Sequence, residues 1–128
     1  MATVREPTHP WAEQKMERTS SVSLLPDPEP RARTFTIISV DDHLVEPRDL
    51  FEGRMPSQFV DAAPRVIEND RGQEMWLYEE TLYPQIGLNA ISGRPKDQWN
   101  TEPARFDEMR RGCWDIDQRV ADMDLDGV

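Results

Sequence analysis

Five residues, Thr36-Ile37-Ile38-Ser39-Val40, carry no charge, no glycine and no proline, and three of them are β-branched aliphatics. A near-continuous apolar run of this length suits a strand buried on both faces, as in a parallel sheet. The run passes directly into Asp41-Asp42-His43-Leu44-Val45-Glu46-Pro47. In parallel sheets and barrels the carboxyl ends of the strands are where ligands and metals collect. Residues two apart in extended backbone share a side. Asp41 and His43 can therefore aim a carboxylate oxygen and an imidazole nitrogen at one ion, and both donors suit zinc or manganese. Spacing alone favours the plainer reading, in which Asp42 opens a turn and His43 is hydrogen-bonded locally.

Composition divides the chain near residue 34. Met1–Thr34 holds Pro7, Pro10, Pro26, Pro28 and Pro30, no glycine, and five acids balanced by five bases. Without a sustained apolar face it cannot offset its ordering entropy, so a disordered leader over 1–34 is expected. A partner-binding arm anchored by Trp11 and Leu24-Leu25 is the alternative. The whole net charge of −10 then falls on residues 35–128. An acidic chain lacks the basic face that phosphate binding requires, so a nucleic-acid partner is not expected. It also lacks a polybasic segment for an anionic membrane, and no apolar run is long enough to span a bilayer. Cys113 is the only cysteine, which excludes an internal disulfide and points to the cytoplasm.

Beyond the first run, Asp49-Leu50-Phe51 and Ser57-Gln58-Phe59-Val60 read as short helical turns. Pro64–Glu68 and Met75–Tyr78 flank the turn cluster Asn69-Asp70-Arg71-Gly72 and predict a β-hairpin, with Thr81-Leu82-Tyr83 as a third strand. Residues 87–112, with Gly93, Pro95 and Pro103, show little periodicity. Ile116, Val120 and Met123 are spaced as on an amphipathic helix, with Asp115 as N-cap and Gly127 as the stop.

Several separated motifs carry a resemblance. Ile37–Pro47, Ile86-Gly87-Leu88-Asn89-Ala90 with Gly93-Arg94-Pro95, Arg105–Arg110 and Arg119–Val128 together resemble the amidohydrolase-related family. That family includes aminocarboxymuconate-semialdehyde decarboxylase and the resorcylate-type decarboxylases. The resemblance implies an α/β fold: the N-terminal part of a distorted TIM (β/α)8 barrel, over residues 35–128, with a small hairpin inserted after the first strand. It implies a divalent metal, usually zinc with manganese as the alternative, held in part by Asp41 and His43. Further histidines and a late aspartate of the family have no counterpart here; the only other histidine is His9. The implied activity is hydrolysis or nonoxidative decarboxylation of a small organic acid or amide, with homo-oligomerisation open for a full-length enzyme. Such a barrel takes roughly 200–250 residues, so an incomplete and inactive fragment is expected.

A rival reading starts from Asp122-Met123-Asp124-Leu125-Asp126-Gly127, which fits the first half of an EF-hand loop and would make the chain a noncatalytic calcium-binding or interaction module. Among single residues, Glu46 is a candidate general acid. Arg94 and Arg105 either grip a substrate carboxylate or offset the acidic surface. Met75–Tyr78 reads as hairpin packing.

Overall fold

The computed structural model describes residues 22–30, 32–99 and 103–128. Its only sheet among these residues has three strands in the order β1 (Arg65–Glu68), β2 (Glu74–Tyr78) and β3 (Thr81–Tyr83), each pair antiparallel. The predicted hairpin forms with Val66 opposite Trp76 and Glu68 opposite Glu74. Its turn is held by Asn69, whose side-chain oxygen accepts from the backbone N–H of Arg71 and of Gln73, at 3.0 and 2.9 Å. Asparagine favours such turns because its side chain can bond its own backbone two residues on. Leu77 opposite Leu82 and Trp76 opposite Tyr83 add the third strand.

Met75 and Leu77 are buried on one face of β2, and the main apolar cluster gathers on the other, where Val66 and Trp76 lie. Ile86, Phe106 and Met109 are buried, and Val45, Val66, Trp76, Ala90, Cys113 and Trp114 pack against them. Phe106 meets Trp114 edge to face with ring centroids 5.7 Å apart, and Trp76 meets Phe51 in the same way at 5.9 Å. The aperiodic stretch before the helix is organised by buried polar groups instead. Glu74, 3% exposed, takes the Phe106 N–H at 2.7 Å on one carboxylate oxygen and Arg48 at 2.5 Å on the other. Glu108 takes the Ala104 N–H at 2.9 Å. Arg94, 2% exposed, donates to the Glu108 carbonyl at 2.8 Å.

The single α-helix among the described residues, α1, covers Ile116–Asp126. Asp115 caps it, accepting from the N–H groups of Asp117 and Gln118, and Gly127 ends it at φ 80°. That left-handed conformation carries no steric cost at glycine. Short 3-10 turns at Ser57–Ala62, Lys96–Gln98, Phe106–Glu108 and Arg111–Cys113 carry the rest of the chain between these elements.

The barrel expectation is overturned. Residues 36–40 form no strand, and Ile38 and Val40 are 78% and 96% exposed. A strand exists only with a hydrogen-bonded neighbour, and no backbone–backbone hydrogen bond among the described residues involves residues 34–43. The strands that do form are joined by tight turns, which yield antiparallel pairs. Parallel pairs need crossovers of a dozen or more residues, and no such pair occurs among the described residues. Among the described residues the fold is a small antiparallel sheet with one α-helix, and not the start of an α/β barrel.

The expected leader lies mostly outside the described residues. Its described parts, 22–30 and 32–34, have no regular structure but touch the body, Arg33 pairing with Asp124 and residues 23–27 making further contacts. The Leu25 N–H donates to the Gly93 carbonyl at 2.8 Å, the Ser23 N–H donates to the Gln98 side chain at 3.3 Å, and Asp27 pairs with Arg110 at 2.7 Å.

Candidate metal pair

Asp41 and His43 converge. The Asp41 Oδ1 and His43 Nε2 atoms are 3.0 Å apart, and the side chains are 85% and 89% exposed. The chain bends at Val40 and Asp41, and the two side chains meet beyond that bend. Asp42 turns to Arg119 on α1, and their side chains pair. Two residues beyond His43, the Val45 N–H donates to the Cys113 carbonyl at 2.8 Å. Before it, the Ser39 hydroxyl donates to the Asp41 carbonyl at 3.3 Å. The Asp-x-His unit is thus held on both sides, to α1 through Asp42 and to the preceding turn through Val45.

The geometry can be tested against a zinc ion. Donors about 2.0–2.2 Å from a tetrahedral metal lie roughly 3.3 Å from each other. The observed 3.0 Å separation needs an opening of only a few tenths of an ångström. The donor set is incomplete, however, since a structural zinc takes four protein ligands and a catalytic one three. No group of three or more His, Cys, Asp or Glu side chains able to hold a metal occurs among the described residues. His9 lies outside them. The residues present fit two positions of a coordination sphere and no more.

Beside His43 along the chain, Leu44, Val45, Glu46, Pro47 and Leu50, together with Trp114 and Ile116, line an open groove of about 360 Å³. Its wall is almost wholly apolar, and Glu46 is its one carboxylate. The buried Trp114 Nε1 has no hydrogen-bond partner.

The other candidates are engaged elsewhere. Arg105 bonds the Glu68 carboxylate and the Gly72 carbonyl, both at 2.8 Å, and Asp107 at 3.2 Å. The bond to Glu68, more than any other contact, holds its guanidinium above the usual range. Arg94 sits in the interior, where burial pulls its guanidinium below that range. Neither arginine is presented for a substrate carboxylate. Burial, followed by the charge of Asp122, pushes the Cys113 thiol up, opposite to what a nucleophile needs.

The Asp122–Gly127 motif forms no calcium loop, because residues 122–126 belong to α1. Helical residues two apart face away from each other, so Asp124 points away from Asp122 and Asp126 and the three cannot gather on one ion as they do in a calcium loop. Asp122 is gripped in two places by Arg110, at 2.6 and 2.8 Å, and Asp124 pairs with Arg33 at 2.7 Å.

What sequence reasoning missed at the site is Arg119, which anchors Asp42 from 77 residues away. A pair so distant leaves no spacing signal. Comparison with known proteins finds no protein-family model that matches the chain and no matching curated protein.

Proposed function

We propose that Asp41 and His43 are a two-donor site for a divalent cation, zinc in the first instance and manganese in the second. In this reading they serve a metal-dependent hydrolase or nonoxidative decarboxylase acting on a small organic acid or amide. The observation that supports it is the 3.0 Å approach of two solvent-facing donors of different chemistry. The resemblance of the Ile37–Pro47 segment to amidohydrolase-related enzymes supplies the reaction class. A metal at such a pair polarises a substrate oxygen or lowers the pKa of a bound water. The chain's own contribution is to present one carboxylate and one imidazole, and to offer the adjoining apolar groove to the carbon skeleton of the acid. A cytoplasmic setting belongs to the same proposal, supported by the single free cysteine.

Two donors hold zinc weakly, so the 128-residue chain is expected to bind it with low affinity and to turn over no substrate. Zinc titration followed by the imidazole resonances tests this. The His43 signals should shift with a weak, saturable dependence, and Asp41→Ala or Asp41→Asn should abolish saturation while His9→Ala leaves it intact. His43 signals indifferent to zinc would refute the site. A tight one-to-one complex lost in both Asp41→Ala and His43→Ala would show a finished centre and a self-contained metalloprotein instead.

A further inference from the structure

We propose that residues 33–41 are a self-recognition strand, through which two copies of this chain pair antiparallel about a two-fold axis at Ile37. The proposal does not rest on the metal reading, but both draw on the Asp41 carboxylate, so it is tested without metal. Its starting point is a segment with the composition of a strand, bends at Phe35 and Val40, and no bonded neighbour. Phe35, Ile37, Ile38 and Val40 are 76%, 52%, 78% and 96% exposed, and the backbone of residues 34–43 makes no backbone–backbone hydrogen bond among the described residues. An uncharged, β-branched stretch with a free backbone is the template on which another strand adds.

What singles out a second copy is the charge at the two ends. The uncharged stretch Thr34–Val40 is bracketed by Arg33 before it and Asp41 after it. An antiparallel pair with two-fold symmetry keeps each residue on the same face in both copies, so a residue can only lie opposite one of its own parity. Centred on Ile37, the register sets Ile37 beside its own copy, Phe35 beside Ser39, Thr34 beside Val40 and Thr36 beside Ile38. Arg33 then lies directly across from Asp41, once at each end. Centring on Ile38 instead would set Phe35 against Asp41 and Arg33 against His43. Opposite charges directly across a strand pair stabilise it and like charges oppose it, so the ends favour the Ile37 register over the Ile38 one. The present partners of these two residues, Asp124 for Arg33 and His43 for Asp41, are solvent-exposed pairs of the kind that exchange readily. A seam of this length is small against the roughly 800 Å² per partner of a standard stable interface, and the net charge of −10 opposes approach. The dimer is therefore expected to be concentration-dependent.

Sedimentation equilibrium of the full chain, in chelator and at moderate salt, from about 1 µM to about 500 µM, reads this directly. The expected result is a monomer–dimer equilibrium that Ile37→Lys weakens at least tenfold, since it sets like charges beside each other at the axis. Arg33→Asp and Asp41→Arg should each weaken it several-fold. The double variant Arg33→Asp/Asp41→Arg should restore it, because the swap rebuilds both cross-strand pairs but neither of the present contacts within one chain. A chain monomeric throughout the range, open-ended association without a dimer plateau, dimerisation that appears only with zinc, or a double variant as weak as the singles would overturn the proposal.

Discussion

Phe106 and Ile38 are both large apolar side chains, yet Phe106 is 2% exposed and Ile38 78%. Nothing in their chemistry accounts for the gap; their neighbours do. Around Phe106 the chain has Trp114 on its edge, the Arg48 guanidinium 5.7 Å from its ring centre, and the Glu74 carboxylate on its own N–H. Around Ile38 there is a run of the right composition with no strand bonded to it. Hydrophobicity sets the incentive to bury a residue, while the presence of a partner surface decides whether burial happens. The body and the 33–43 segment differ in that second respect.

The largest test of this contrast is Phe106→Ala, which should cost about 3–4 kcal/mol, the range for emptying a filled aromatic site, read as a fall in the urea midpoint. Little or no loss would mean that the body is not packed around that ring. Next is Glu74→Ala, expected to cost about 2–3 kcal/mol because it strands the buried Phe106 N–H and removes the Arg48 partner. Glu74→Gln, which keeps one acceptor, should lose less, and equal losses in the two variants would contradict the assigned hydrogen bonds.

A smaller effect is expected at the helix start. Asp115→Ala removes the acceptor for the Asp117 and Gln118 N–H groups, and circular dichroism should report a loss of helix that Asp115→Asn largely avoids. Asp115 is also a pH probe. The Gln118 N–H, then Arg111, hold its carboxyl below the usual aspartate range. A carboxyl lowered in the folded state stabilises above its unfolded pKa, near 3.9, and that contribution is lost as pH falls through the lower folded value. The helix signal should therefore hold from pH 5 to 8 and decline only below about pH 4. Decline beginning near pH 6 would point to a different group.

Ile38→Ser should be the smallest. At concentrations below the proposed dimerisation it should change stability by less than about 0.5 kcal/mol, as surface substitutions do. A loss approaching that of Phe106→Ala would erase the contrast and show the segment to be buried in solution.

The elements that could be read from sequence are those whose stabilisation is local. The hairpin has Asn69 and Gly72 at its turn and apolar residues on both sides. The helix has Asp115, the spacing of Ile116, Val120 and Met123, and Gly127. In each, the signal and the structure occupy the same dozen residues. The stretch 87–112 stayed obscure because buried polar residues organise it. Arg94 and Glu108 look in sequence like surface charges, and only the fold puts both in the interior. Residues 36–40 misled for the opposite reason, since strand composition was present and its hydrogen-bonding neighbour was not. Of the candidate site, the convergence of Asp41 and His43 was legible from their i, i+2 spacing, but the anchors on Cys113 and Arg119 were not.

Those anchors also bear on the order of events when the chain folds. The Asp42–Arg119 pair joins residues 77 apart, and the Val45 bond reaches Cys113 from nearly as far. Contacts that close such long loops form slowly and late, because their entropy is lost before any contact repays it. The hairpin and α1 can nucleate from neighbours in sequence, whereas the Asp41–His43 unit stays free to wander until both are in place. The approach of Asp41 to His43 is thus fixed in the last folding step. In a stopped-flow refolding experiment, hairpin and helix signals should precede any zinc-induced change at His43.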